Sequence, residues 1–179
     1  MERFILSTLV LNHPGVLSRV SGLFSRRGFN IDSLTVGETI DPTVSRMTIT
    51  VRGDEETLLQ IQRQLEKLED VLAVRCIEPG AGVARELALI KVSVSAERRS
   101  DVMSIARIFR ARVVDVAADS LIVEITGDRI KVDGLLALLK PFGIPEFART
   151  GITALQRGAG AMPVPECETF DHRFLEKIS

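Results

Sequence analysis

At 179 residues the chain has room for one domain or two small ones. Its 23 basic and 24 acidic residues nearly cancel, which excludes both a generally basic nucleic-acid binder and an acidic disordered chain. Trp and Tyr are absent and Phe numbers 8, so a single-strand binder built on aromatic stacking has little to stack with.

Arg3–Leu11 is rich in β-branched and large apolar groups, the composition of a largely buried strand. Ser7 and Thr8 interrupt its apolar run and no small-residue cleavage site follows, so it reads as a strand and not a secretory signal. Pro14 fits the first turn of a helix. Val16, Leu17, Val20, Leu23 and Phe24 then form one apolar helical stripe. Arg26 and Arg27 suit the last turn, and Gly28 the position after it. A second strand is expected over Phe29–Val36, and Asp41-Pro42 marks a turn. Met47, Ile49 and Val51 alternate with Arg46, Thr48, Thr50 and Arg52, which predicts a strand with one solvated or partner-facing side. Asp54 is placed to cap a helix striped by Leu58, Ile61, Leu65 and Leu68. Val71–Ile77 is a fourth strand. The order β-α-β-β-α-β is the split βαβ, or ferredoxin-like, arrangement.

Pro79, Gly80 and Gly82 read as a linker, after which the same order returns. Leu87–Val94 is a strand; Val102, Ile105, Ala106 and Phe109 share a helical face. Val113–Val116 and Leu121–Thr126 are strands; Val132, Leu135, Leu136 and Leu139 form a second stripe; Phe147–Leu155 is a final strand. Phe24, Arg27, Asn30 and Ile31 align with Phe109, Arg112, Asp115 and Val116, and Ile49, Val51, Gly53 and Asp54 with Val123, Ile125, Gly127 and Asp128. The reading is an α+β chain of two ferredoxin-like domains in tandem: residues 1–78, a linker over 79–84, residues 85–157, and an irregular tail over 158–179 with a short helix at Phe170–Ile178.

Constellations that carry chemistry are few. His13 and His172 have no metal-spaced partner, and Cys76 and Cys167 form no CxxC, so neither a metal site nor a disulfide framework is expected. Cys76 alternates with Leu72 and Val74 and reads as a buried small hydrophobe. Glu55-Glu56 and the Glu66, Glu69, Asp70 group read as solvated carboxylates. No apolar run approaches the ~18 residues of a membrane span. A cytoplasmic protein is expected.

One segment stands apart: Asn12-His13-Pro14-Gly15-Val16-Leu17, between the first strand and the first helix. A helix N-terminus presents unpaired N–H groups and a positive dipole end, which suit a carboxylate. Gly15 lets a ligand approach the backbone, and Asn12 is placed to cap the helix or reach a polar ligand. The same residues also make an ordinary capped turn. The second copy has Ser95-Ala96-Glu97 near this place and no glycine, so a ligand is expected in the first copy only.

With these residues in view, the chain resembles the small regulatory subunit of acetolactate synthase (acetohydroxyacid synthase). The resemblance covers residues 1–157. It rests on the run from Asn12 to Val20, on Leu23–Val36 and on Ser45–Ile49. In the second half it rests on Arg85–Val92, Ile108–Ala111, Val114–Val116 and Ala148–Gly151. It implies an N-terminal ACT domain followed by a second ACT-like domain, in a homodimer or larger assembly whose first domains pair side by side into one sheet. It implies a branched-chain amino acid effector, typically valine, between two chains. Asn12, His13, Pro14, Gly15, Val16 and Leu17 would come from one chain, and Asn30 and Ile31 from the other. It implies no catalytic residue, metal or cofactor in this chain. Thiamine diphosphate, magnesium and flavin would belong to the large catalytic partner, which this chain would activate and make inhibitable. A free-standing ACT-type sensor, controlling another enzyme or a transcription factor, is the alternative. An RRM-type RNA binder has the same element order, but Met47–Val51 and Leu121–Thr126 lack its exposed aromatics. A small enzyme on this fold lacks an acid, base or nucleophile constellation.

Overall fold

The computed structural model describes residues 2–78 and 80–163. Cys167, His172 and the helix expected over Phe170–Ile178 lie outside the described residues. The described residues form two compact units: Val83–Leu155 make the second, and the first takes the described residues before it together with residues 156–163.

The first unit runs β1 (Glu2–Leu11), α1 (Val16–Arg26), β2 (Ile31–Glu38), β3 (Val44–Gly53), α2 (Glu55–Leu65) and β4 (Val71–Ile77). Its sheet has the order β2-β3-β1-β4, with every paired neighbour antiparallel. This is the expected βαββαβ arrangement. Asp54 caps α2 by accepting from the Thr57 N–H at 2.8 Å. Gly28, at φ +71, closes α1, where the Phe29 N–H reaches back to the Phe24 carbonyl at 3.0 Å. Leu6, Val10, Val20, Phe24, Ile49, Ile61 and Leu65 form the core between sheet and helices. Each such side chain stabilises the fold by about 1.5–3 kcal/mol when fully buried.

Two expectations change here. Leu17 does not join the buried stripe of α1; it is 46% exposed. Of the two alternatives for the far side of β3, solvated or partner-facing, the solvated one holds only at Arg52, since Ser7, Thr48 and Thr50 are buried. Part of the cover on that face comes from residues 160–162. Met162 packs with Leu9 and Val44. Arg46 donates to Ser7 Oγ at 2.6 Å and reaches Met162 Sδ at 3.4 Å. Arg75 donates to the carbonyls of Gly160 and Ala161.

The second unit runs β5 (Gly82–Ser93), a 3-10 turn (Ala96–Arg98), α3 (Arg99–Ile108), β6 (Arg112–Val116), β7 (Ser120–Gly127), α4 (Arg129–Leu139), a 3-10 turn (Lys140–Phe142), β8 (Glu146–Arg149) and β9 (Thr153–Gln156). The strand order β6-β7-β5-β8 repeats that of the first unit, with β9 added on β5. β5 begins at Gly82, so Val83 and Ala84 belong to a strand and not to a linker. The final strand is two strands. Gly151, at φ +84, breaks it, and the Leu87 N–H donates to Thr150 Oγ1 at the break.

The repeat alignment holds in one half and slips in the other. Asp54 and Asp128 are both N-caps that accept from the N–H three residues on. Gly53 and Gly127 precede them, each where a Cβ would crowd the side chain four residues on. At the first helix, however, Arg110 at φ +51 occupies the place of Gly28 at φ +71. The Ala111 N–H then reaches Ala106 as that of Phe29 reaches Phe24. Phe24 therefore corresponds to Ala106 and not to Phe109, and Asn30 and Ile31 do not correspond to Asp115 and Val116. Backbone geometry decides this register, which side-chain similarity misplaced.

Candidate functional site

The loop between β1 and α1 is built around Gly15, the N-cap of α1, at φ +94 and ψ −18 with no side-chain capping bond. That backbone region is costly for a residue with a Cβ, which is why glycine stands here. Asn12 does not cap the helix. Its Nδ2 donates to the Pro42 carbonyl at 2.8 Å and to Glu38 Oε1 at 3.2 Å, and its N–H donates to the Thr43 carbonyl at 2.7 Å. Asn12 thus ties the loop to the far end of β2. The N–H groups of Leu17 and Ser18, in the first turn, take no acceptor among the described residues. Pro14 is exposed at the turn. Val16 is buried in the core and offers its backbone only; Leu17 carries the exposed apolar surface.

His13 is not a free side chain. Its Nε2 lies 2.9 Å from Asp70 Oδ1, and Arg19 Nη1 donates to Asp70 Oδ2 at 2.6 Å. The Asp70 side chain is 9% exposed. Its backbone carbonyl accepts from the Leu11 N–H at 2.9 Å. Asp70 was expected among solvated carboxylates; it is instead a buried anchor for the loop and for α1. The cause lies in strand pairing. β4 runs antiparallel to β1 with Val10 opposite Val71, so the residue just before Val71 meets the loop that follows β1. Arg19, Glu38 and Asp70 were missed because their contacts are long-range. The signal available was an acid directly preceding the strand that returns beside β1.

Asn30 and Ile31 stand at the opposite end of the sheet. Ile31 pairs with Val51, while Glu38, beside Asn12, pairs with Ser45. β2 has eight residues, so the two groups lie about 25 Å apart within one chain. The structure does not bring them together in a single copy. Asn30 is exposed, and its Nδ2 sits 3.5 Å from Asp32 Oδ1. The corresponding loop of the second unit is built differently: Ser95 has an extended backbone at φ −68, and Arg99 Nη2 donates to the carbonyls of Ala117 and Ala118.

Residues 6–73 match the small-subunit-like ACT domain of acetohydroxyacid synthase, and residues 85–158 match the small subunit of acetolactate synthase. A probable acetolactate synthase small subunit of Methanothermobacter thermautotrophicus is 54% identical over 162 residues, which covers 90% of this chain and 96% of that one. The chain belongs to the acetolactate synthase small-subunit family. The acetolactate synthase small subunit of Mycobacterium leprae is 52% identical over 153 residues, covering 86% of this chain and 90% of that one. The crystal structure of the acetolactate synthase small subunit from Thermotoga maritima aligns with a TM-score of 0.84 at 43% identity, covering 89% of this chain and all of that one. The fold of this family member is therefore two ACT-like domains in tandem.

Other chemistry in this small-subunit chain is sparse. Among the described residues no three His, Cys, Asp or Glu side chains gather as a metal site, and no helix is long and apolar enough to cross a membrane. Cys76 is half-buried, and burial, with Glu78 nearby, pushes its thiol pKa up. A cavity of about 310 Å³ lies at the other end of α1, lined by Arg27, Phe29, Gln60, Arg63, Gln64 and Lys67. None of the residues expected to bind an effector lines it.

Proposed function

We propose that this chain is the regulatory subunit of an acetolactate synthase. It activates a large catalytic subunit and makes it inhibitable by valine or a related branched-chain amino acid. Thiamine diphosphate, magnesium and flavin belong to that large subunit, and this chain contributes no catalytic residue. The site is formed by Asn12–Leu17 of one chain and by Asn30 and Ile31 of a second.

The observation that carries the reading is the tie of the loop, through Asn12, to Glu38 at the end of the edge strand β2. Among the described residues β2 is an edge strand of its sheet, and sheet edges favour pairing with another chain. A two-fold axis beside β2 pairs it antiparallel with its copy. Antiparallel pairing sets the start of one β2 beside the end of the other. It thus carries Asn30 of one chain toward Glu38 and Asn12 of its neighbour. Residues about 25 Å apart in one chain become neighbours in a dimer. The Leu17 and Ser18 N–H groups then meet the effector carboxylate, the Asn30 side-chain carbonyl meets its ammonium, and Leu17 with Ile31 supplies apolar surface.

The experiment is reconstitution. The purified chain is mixed with the large subunit from the same source, and acetolactate formation is followed with and without valine, leucine and isoleucine. A higher rate with the chain present, lowered by one of these amino acids, supports the reading. Acetolactate formation by the small chain alone, or no effect on the large subunit, defeats it.

A further inference from the structure

This inference rests on the effector reading above and adds two residues to it. Arg19 stands one turn into α1, and its guanidinium folds back along the helix to Gly15. Its Nη1 is held by Asp70 Oδ2 at 2.6 Å. Its Nη2 lies 3.8 Å from the point where a Cβ on Gly15 would stand. The carboxylate is 9% exposed while the Arg19 side chain is 54% exposed. A buried acid therefore grips one part of a cation whose remainder reaches the surface beside a glycine. The other oxygen of Asp70 lies 2.9 Å from His13 Nε2, so the carboxylate is held on both sides.

Arginine has five N–H donors in a rigid planar fork. One of them serves Asp70, and Nη2 takes no acceptor among the described residues. Sinking a carboxylate into a protein costs several kcal/mol before any partner repays it. A half-exposed arginine alone is a weak reason for that cost, since exposed ion pairs contribute little. Fixing the direction of the fork is a stronger one. The second unit lacks the arrangement: Arg99 Nη2 donates to the Ala117 and Ala118 carbonyls, and Arg98 Cζ lies over the Phe142 ring, 4.4 Å from its centroid.

We propose that Arg19 binds the α-carboxylate of the amino-acid effector, and that Asp70 is the positioning residue that aims it. The missing Cβ of Gly15 leaves the space through which the carboxylate reaches Nη2. His13 keeps the Asp70 carboxylate from turning. The ligand class is an α-amino acid with a free carboxylate.

The test is calorimetric titration of the full-length chain with valine, leucine and isoleucine, and with valinol, which lacks the carboxylate. Arg19→Gln should weaken the amino acid that wild type binds by about 10- to 100-fold, the effect of one charge-assisted bond. Valinol should bind wild type and Arg19→Gln alike. Asp70→Asn should weaken the amino acid in the wild-type background, yet leave affinity within about twofold when added to Arg19→Gln, as expected of a residue that acts through Arg19. Circular dichroism checks that each variant is folded. Amino-acid affinity unchanged in folded Arg19→Gln overturns this inference and leaves the effector reading standing. Binding of none of the three amino acids by wild type overturns both.

Discussion

Placing a carboxylate at Gly15 sets a fixed negative charge where the effector's own carboxylate is expected. Gly15 sits at φ +94, and a Cβ there has its nearest neighbour at 3.8 Å, so the Cβ of Gly15→Asp meets backbone strain and no clash. Strain of this kind costs about 1–3 kcal/mol, against a domain stability of about 5–15 kcal/mol, so the variant should fold. Two carboxylates about 4 Å apart repel by about 4 kcal/mol near a protein surface. Loss of one charge-assisted bond adds about 1.5–3 kcal/mol. Even half of that sum weakens the effector by about 100-fold or more. Gly15→Ala carries the strain without the charge and separates the two effects. The assay is acetolactate formation by the reconstituted complex, titrated with valine, with thermal melting of each variant alone. Activation should persist while inhibition disappears in Gly15→Asp, and Ala96→Asp in the second unit should leave inhibition nearly unchanged. Equal inhibition of wild type and a folded, bound Gly15→Asp would place the site elsewhere.

Asp54 is held below the usual carboxylate range by hydrogen bonds from Thr57, and Glu146 by the hydrogen bond and charge of Lys91. Both folded pKa values lie below the unfolded ones, so their stabilisation is complete above about pH 4.3 and is lost as pH falls through the folded values. The combined Asp54→Asn, Glu146→Gln variant should flatten the acid limb of Tm against pH; an unchanged limb counts against these pairings. Ile49 is fully buried at the centre of β3, and Ile49→Ala should lower unfolding free energy by about 2–5 kcal/mol in a urea titration. A loss under ~1 kcal/mol would mean that this core is not packed as described. Light scattering of the isolated chain at micromolar concentration should give a dimer or larger, and a monomer mass would remove the antiparallel β2 pairing.

Most of the fold was legible because its signals are local. Alternation in β3, the stripes of α1 and α2, the Asp54 cap and Gly28 each act within a few residues, where sequence spacing and spatial spacing coincide. The same locality explains the errors. The break at Gly151 follows a run that reads as a continuous strand, and only its φ of +84 reveals two. The slipped repeat at Phe109 arose because apolar side chains look alike at neighbouring registers, whereas the positive φ of Arg110 does not depend on side-chain type.

The loop Asn12–Leu17 was visible as a motif, and family resemblance named it. What that loop touches was not visible. Whether Asp70 is solvated or buried depends on which strand lies beside β1, and whether Thr48 and Thr50 meet water depends on what lies over their face of the sheet. The sequence alone determined the order of elements, the two-copy plan and the place of a special glycine, because hydrophobic period and turn chemistry are written over short stretches. Tertiary structure decided the Asp70 clamp on His13 and Arg19, the tether from Asn12 to Glu38, and the separation of Asn30 from the loop. These depend on strand pairing between residues far apart in the chain, and pairing register has no local signature.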